Sequence, residues 1–154
     1  MALSLIQPLV RRATAGDAAA CAALVRALSP AFFAHPDGRD TALFWDSVSA
    51  ERQAGYIAAY AYWLAEVDGV VVGLAALRPP QHVFHLYVAA DWQGQGLGRR
   101  LLDRLLADTD PAQPVTVNAS LLAQAFYARW GFVIQGPAQL QHGVRFQPMV
   151  RSVA

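Results

Sequence analysis

The apolar positions of this chain follow two different periods, and the switch between them marks out the elements. Two nearly continuous apolar runs, 63–67 and 70–77, are separated by Asp68-Gly69, the kind of dipeptide that most favours a two-residue hairpin turn, so an antiparallel pair is predicted. Arg78-Pro79-Pro80 ends the pair, and a third β-rich run covers 82–88. Beyond 91–98 the spacing becomes helical: Leu97, Leu101, Leu102, Leu105 and Leu106 share one face until Pro111 and Pro114 stop the helix. Residues 115–117 read as a short buried strand. Ser120 is placed to cap a helix that runs to about Trp130 and is closed by Gly131, and two last strands fall near 132–135 and 144–150. Upstream, 8–13 is a short strand, and Thr14 and Asp17 have the spacing of a capping box for a helix to Leu28, with Ala20, Leu24 and Leu28 as its apolar stripe. Residues 29–40 carry two prolines and Gly38 and read as a loop, whereas 41–60 is helical in places without fixed boundaries.

Strands alternating with helices in the middle of the chain, flanked by hairpins, predict an α/β domain: a mixed sheet with helices on its faces. No repeat or long linker divides the 154 residues, so residues 1–154 are expected to form one domain, and 55% hydrophobic content supplies its core. The balance of 12 basic against 11 acidic residues gives no electrostatic reason to expect nucleic acid or an anionic membrane as partner. All 12 basic residues are arginine, which excludes the lysine-dependent phosphate loop of P-loop ATPases. Cys21 stands alone, so neither an intrachain disulfide nor a cysteine-built zinc site is available, and His35 and His142 show no metal-ligand pattern; no metal is expected. Residues 1–10 lack a basic stretch ahead of their apolar positions, and the longest apolar run, 56–65, is short against the roughly 20 residues of a spanning helix. The expectation is a cytoplasmic protein without export signal or membrane anchor.

Chemistry enters at Gln93-Gly94-Gln95-Gly96-Leu97-Gly98, between the third apolar run and the amphipathic helix. Unpaired amides at a helix start converge on anions, and glycines let a phosphate come close; Arg99 and Arg100 add charge. The dinucleotide spacing G-x-G-x-x-G fails in both frames, since Arg99 and Leu101 stand where the third glycine belongs. A plain tight turn between strand and helix is the simpler alternative.

Leu86-Tyr87-Val88 followed by Gln93-x-x-Gly96-x-Gly98 closely resembles motif A of the GNAT acyltransferases, and 115–120 with 125–132 resembles their motif B, in the right order and spacing. The likeness is sharpest over 67–132, and the closing 143–149 resembles the tails of many bacterial members. It implies the GNAT fold: a central mixed, mostly antiparallel sheet with a splayed parallel pair and helices on both faces. It also implies an N-acetyltransferase that moves an acetyl group from acetyl-CoA to a primary amine of a small molecule or peptide, by direct attack through a tetrahedral intermediate. Gln93, Gly94, Gln95, Gly96, Leu97, Gly98 and Arg99 would then hold the pyrophosphate, and Leu86, Tyr87, Val88, Asn118 and Phe126 the pantetheine side.

Tyr127 has the position of the family's general acid; a phenol of pKa about 10 is protonated at neutral pH and can serve a thiolate leaving group. Packing beside Phe126 is its other reading. His82 and His85 are candidate bases, with His82 favoured because some relatives carry a catalytic glutamate six residues before the position of Val88; purely structural roles for both stay open. Phe32, Phe33, Trp45, Tyr56, Tyr60, Tyr62 and Trp63 crowd the segment that walls the acceptor pocket in relatives, as an acceptor wall or as ordinary core, and Glu66 and Asp40 are candidate ammonium partners. A non-catalytic acyl-CoA-binding module and a nucleotide-binding regulatory domain are the competing functions. A homodimer is left open.

Overall fold

The computed structural model describes residues 6–153, so the first half of the leader expectation over 1–10 lies outside the described residues. Eight strands form the sheet: β1 Leu9–Arg12, β2 Ala61–Val67, β3 Val70–Arg78, β4 His82–Val88, β5 Val115–Ala119, β6 Val133–Ile134, β7 Gln139–Gln141 and β8 Val144–Arg151. Their order is β1-β2-β3-β4-β5-β8-β6, with β7 added to β8, and every pair is antiparallel except β4 with β5. The Asp68-Gly69 turn forms as expected, with φ of 51° and 77° at its two residues. β3 is buried on both sides of the sheet, which explains why its apolar run does not alternate.

Five helices cover the sheet: α1 Ala18–Leu28, α2 Ala42–Ser47, α3 Ala50–Ala59, α4 Leu97–Ala107 and α5 Gln124–Ala128. α4 packs on β2, β3 and β4 from one side, and α1 and α3 pack from the other. The predicted leucine face of α4 is the buried one, with Leu97, Leu101, Leu102 and Leu105 inside the core. A Cβ added at Gly73 of β3 would lie 2.9 Å from Leu101 Cδ1 and 3.3 Å from Leu97 Cδ2, so the missing side chain lets α4 sit directly on the sheet.

Four expectations shift. The buried stripe of α1 is Ala18, Cys21, Ala22 and Val25, the i, i+3, i+4, i+7 set, while Ala20 is exposed. Choosing the leucines mis-phased the helix, because small residues make the contact with β3. The helix after Ser120 is a 3₁₀ turn over Leu121–Ala123 followed by only five α-helical residues. The C-terminal region holds a further hairpin, β7–β8, whose exposed Gln139-Leu140-Gln141 strand lacks an apolar pattern. Trp63 faces α4, not the α1–α3 side, with Arg104 at 4.0 Å and Arg12 at 5.2 Å from its ring. Among the described residues no helix is long and apolar enough to cross a membrane.

Candidate active site

The site begins where two parallel strands part. β4 and β5 pair only at His82–Thr116 and Val83–Val117, although β4 continues to Val88 and β5 to Ala119. Phe84 is the residue at which they diverge: against β3 the register passes from Leu77–Val83 to Ala76–His85 and leaves Phe84 as an extra, bulged residue. A bulge bends its strand, and here it bends β4 away from β5. Beyond it, Ala89 N–H donates to Val72 O at 2.8 Å, so by the alternation of an antiparallel ladder the backbone groups of Leu86 and Val88 point away from β3, toward the gap. The Val88 carbonyl accepts from Gln93 Nε2 at 2.9 Å, which ties the glycine turn to the strand end.

A cavity of about 630 Å³ opens from this gap. Its lining comes from Leu86 and Val88 of β4, from Trp92, Gln93, Gly94, Gly96, Gly98 and Arg99 around the glycine turn, and from Ala123, Phe126, Arg129 and Trp130 after β5. Gly94 and Gly96 have φ of 76° and 83°, a left-handed backbone that side chains oppose. That conformation turns the chain into α4 with its first amides exposed. Among the described residues no hydrogen bond of normal geometry engages the N–H groups of 94–99; the first to be engaged is Arg100 N–H, on Gly96 O at 3.1 Å. A cradle of free amides at a helix start suits a diphosphate, with charge from exposed Arg99 and Arg129 at the rim. Arg100 does not join them, because its Nη2 is turned back to Pro8 O at 3.0 Å.

The remaining candidates lie around the cavity. Leu97 is core and Gln95 is exposed, its amide donating to Asp91 O at 3.0 Å. Asn118 is exposed on β5 past the point where pairing with β4 stops, and Tyr87 lies on the α1 side of β4, 6.0 Å from Phe32 between ring centroids. Tyr127 stands behind the cavity wall, 5% exposed, with its ring edge-on to Phe126 and Phe132. Burial, and secondarily the Tyr87 phenol, raise its pKa, so it holds its proton at neutral pH.

The histidines are not at the cavity. His82 sits at the paired end of β4, its Nδ1 2.7 Å from Thr116 Oγ1, roughly 13 Å from Leu86 along the strand at about 3.3 Å per residue. Burial and then Arg78 hold its pKa down to about 4. His85 is 6% exposed and has both ring nitrogens occupied: Nδ1–H donates to Phe84 O at 3.0 Å and Nε2 accepts from Gln53 Nε2 at 3.2 Å. Burial lowers its pKa to about 4 as well. With no free lone pair, it has none to offer a substrate proton.

Of the aromatic residues expected to be acceptor wall or core, Tyr62 is fully enclosed and belongs to the core. Phe33, Phe44 and Trp45 pack on one another at 5.4–5.8 Å and Tyr56 stacks on Tyr60 at 5.4 Å, all of them partly exposed, and none of these rings lines the cavity at the β4–β5 gap. Glu66 is bound by Arg11, which also grips Asp17. Cys21 is wholly buried and its thiol is pushed up to about 11 by burial, so it stays protonated.

Against known families, the acetyltransferase (GNAT) domain model matches residues 33–153. The chain belongs to the GNAT acetyltransferase family. None of the curated proteins matches it in sequence. Among solved structures, it resembles a GCN5-related N-acetyltransferase from Rhodopseudomonas palustris at 28% identity and TM-score 0.76, covering 96% of both chains. It also resembles the PaiA N-acetyltransferase from Thermoplasma acidophilum, a complex with coenzyme A, at 12% identity and TM-score 0.74 over 96% of this chain and 99% of that one. The GNAT fold is therefore established, with β4–β5 as its parallel pair and helices packed on both faces. So is the enzyme class, an acyl-CoA N-acyltransferase of a family that uses acetyl-CoA. Within this GNAT site, sequence reasoning missed Trp92, Ala123, Arg129 and Trp130 as cavity walls. Arg129 and Trp130 stood inside the second motif, and a cation at the end of a helix facing a phosphate cradle was the available signal.

Proposed function

We propose that this protein transfers the acetyl group of acetyl-CoA to a primary amine of a small molecule or peptide, by direct attack through a tetrahedral intermediate. The observation that carries this reading is the β4–β5 gap, where the Leu86 backbone groups and the Val88 N–H, left without a strand partner, lead to the free amides of 94–99. An extended pantetheine arm fits such a gap as a substitute strand, and the amide cradle fits the diphosphate. A free N–H of β4 suits the thioester oxygen, where charge develops, a contribution worth several kcal/mol in a preorganised site. Tyr127 serves as the acid toward the departing sulfur: its raised pKa keeps the phenol proton available, and its ring packs edge-on at 5.3 Å against Phe126, which lines the cavity.

The incoming amine gives its proton to water in this reading. Engaged ring nitrogens on His85 and the remote place of His82 support that choice. Presenting a lysine-like amine neutral at pH 7 costs about 4.6 kcal/mol, but an α-amino group of pKa near 8 costs only about 1, so acceptors of low basicity suit a site with a water base. The test is free-thiol release from acetyl-CoA with a panel of amines, run beside thermal shift by acetyl-CoA. Thiol release with at least one amine is expected; a thermal shift with no release across a broad panel supports the binding-only alternative instead.

A further inference from the structure

His85, the less favoured of the two histidines considered as bases, lies away from the cavity in a closed set of hydrogen bonds. We propose that His85 is a positioning residue: with Gln53 and Tyr62 it pins the Phe84 bulge and so sets the opening of β4 from β5 in which acetyl-CoA binds. This rests on the reading of the gap given above. Phe84 is the one residue of β4 skipped by the β3 register, and pairing with β5 ends at the residue before it. A bulged carbonyl has lost its ladder partner and needs another. His85 Nδ1–H supplies one at 3.0 Å, and since a carbonyl only accepts, this fixes the proton on Nδ1. Nε2 must then accept, which it does from the Gln53 amide at 3.2 Å, and Gln53 Oε1 takes the Tyr62 hydroxyl at 2.7 Å.

The chain of bonds thus links α3 and β2 to the bend in β4, with every donor facing an acceptor. Gln53 and Tyr62 are no more exposed than 1%. The ring of His85 is clamped as well, stacked on Phe84 at 4.4 Å and edge-on to Tyr56, Tyr62 and Tyr87. Leu86 and Val88, whose backbone faces the gap, follow along the same strand with their side chains on the α4 side. A shift of the bend would displace both, and misplacement by about 1 Å is enough to cost binding and rate.

The experiment measures the affinity of folded protein for coenzyme A by calorimetry, with KM for acetyl-CoA and kcat as a second reading. His85→Phe, which fills the space without the hydrogen bonds, and Gln53→Leu, which removes the support, are each expected to weaken coenzyme A binding and raise KM about tenfold, with any fall in kcat accompanying that loss of affinity and never replacing it. His85→Asn, whose side-chain amide can donate to Phe84 O, is expected to recover affinity to within about threefold. Unchanged affinity in folded His85→Phe overturns the proposal, as does a fall in kcat alone, the mark of a base. If His85→Phe does not fold, Gln53→Leu decides in the same terms. Wild-type protein that fails to bind coenzyme A overturns the acetyltransferase reading and this inference together, whereas wild type that binds beside variants that bind equally well overturns only this one.

Discussion

On the side of the sheet covered by α4 and α5, the polar groups that matter are backbone amides and rim arginines left open to the cavity; on the side covered by α1 and α3, they are side chains closed on one another. Among the described residues no hydrogen bond of normal geometry engages the backbone N–H groups of Gly94 through Arg99, while Tyr62, Gln53 and His85 are bonded end to end and buried. The contrast teaches where ligand energy can come from. Groups already satisfied inside the protein have nothing left to exchange with a ligand, whereas free amides in a shaped groove do. In the function proposed above, the first side is the donor-binding side and the second is the scaffold that fixes its shape.

Substitutions that separate the two sides should have effects of different kinds. The largest is expected at Gly73, which belongs to neither ligand nor network but holds α4 against the sheet. Gly73→Val would drive a branched side chain into Leu101 and Leu97, where even a Cβ comes to 2.9 Å. Overpacking of this sort costs about 3 kcal/mol, a fall of about 5–10 °C in Tm by calorimetry. A Tm within about 2 °C of wild type would mean that α4 can retreat without loss, and that the groove wall it carries is not rigid. Next is Tyr127→Phe, expected to lower turnover at least about tenfold, or about 1.4 kcal/mol, while coenzyme A affinity measured by calorimetry stays within about twofold. Unchanged turnover removes the phenol from the chemistry and leaves it as packing beside Phe132.

The same division decides how much was legible in the sequence. The donor side is local: Leu86-Tyr87-Val88, the glycine turn and the leucines of α4 follow one another within a few turns, and the special φ of Gly94 and Gly96 is written in their identity. The scaffold side is not. Gln53 and His85 are 32 residues apart and meet only through packing of α3 on the sheet, so neither spacing nor composition announces the pair. The Phe84 bulge gives no signal, because an extra residue in an apolar run changes no period. The mis-phased stripe of α1 and the overlooked strand β7 also lacked a pattern of large apolar residues: small side chains carry much of the α1 stripe, and β7 is exposed along its length and joined only by its ladder with β8. The placement of the two histidines was hidden along with the bulge, since side chains three apart face opposite ways on a regular strand, and this strand is irregular between them.

A smaller effect is expected at the rim. Arg99→Ala and Arg129→Ala each remove one exposed guanidinium from the cavity mouth and should raise KM for acetyl-CoA about three- to fivefold at low salt. The penalty should shrink toward nothing at about 1 M salt, where the screening length is about 3 Å. A salt-independent penalty would instead assign these arginines to packing against the ligand. Arg100→Ala serves as the contrast, because its side chain is committed to Pro8 O and should leave KM unchanged.

The smallest expected effect tests the closed side by acid. His85 is held neutral with a pKa of about 4, against about 6.5 in the unfolded chain. Between those values the unfolded chain binds a proton that the folded chain refuses. Its contribution is therefore fully present above about pH 6.5 and is lost progressively as the pH falls toward 4. His82, also depressed to about 4, acts in the same direction but is half-exposed and counts for less. From pH 7 to pH 6 the loss from His85 amounts to about 0.7 kcal/mol, or about 2 °C in Tm. Asp17, lowered to about 2 chiefly by its bond with Arg11, keeps its own contribution down to about pH 3.8 and leaves this window untouched. His85→Phe should flatten the dependence between pH 7 and 5, whereas Arg99→Ala should not alter it. If both variants keep the wild-type slope, the imidazole is already free to take a proton, and the buried network does not close this side of the sheet.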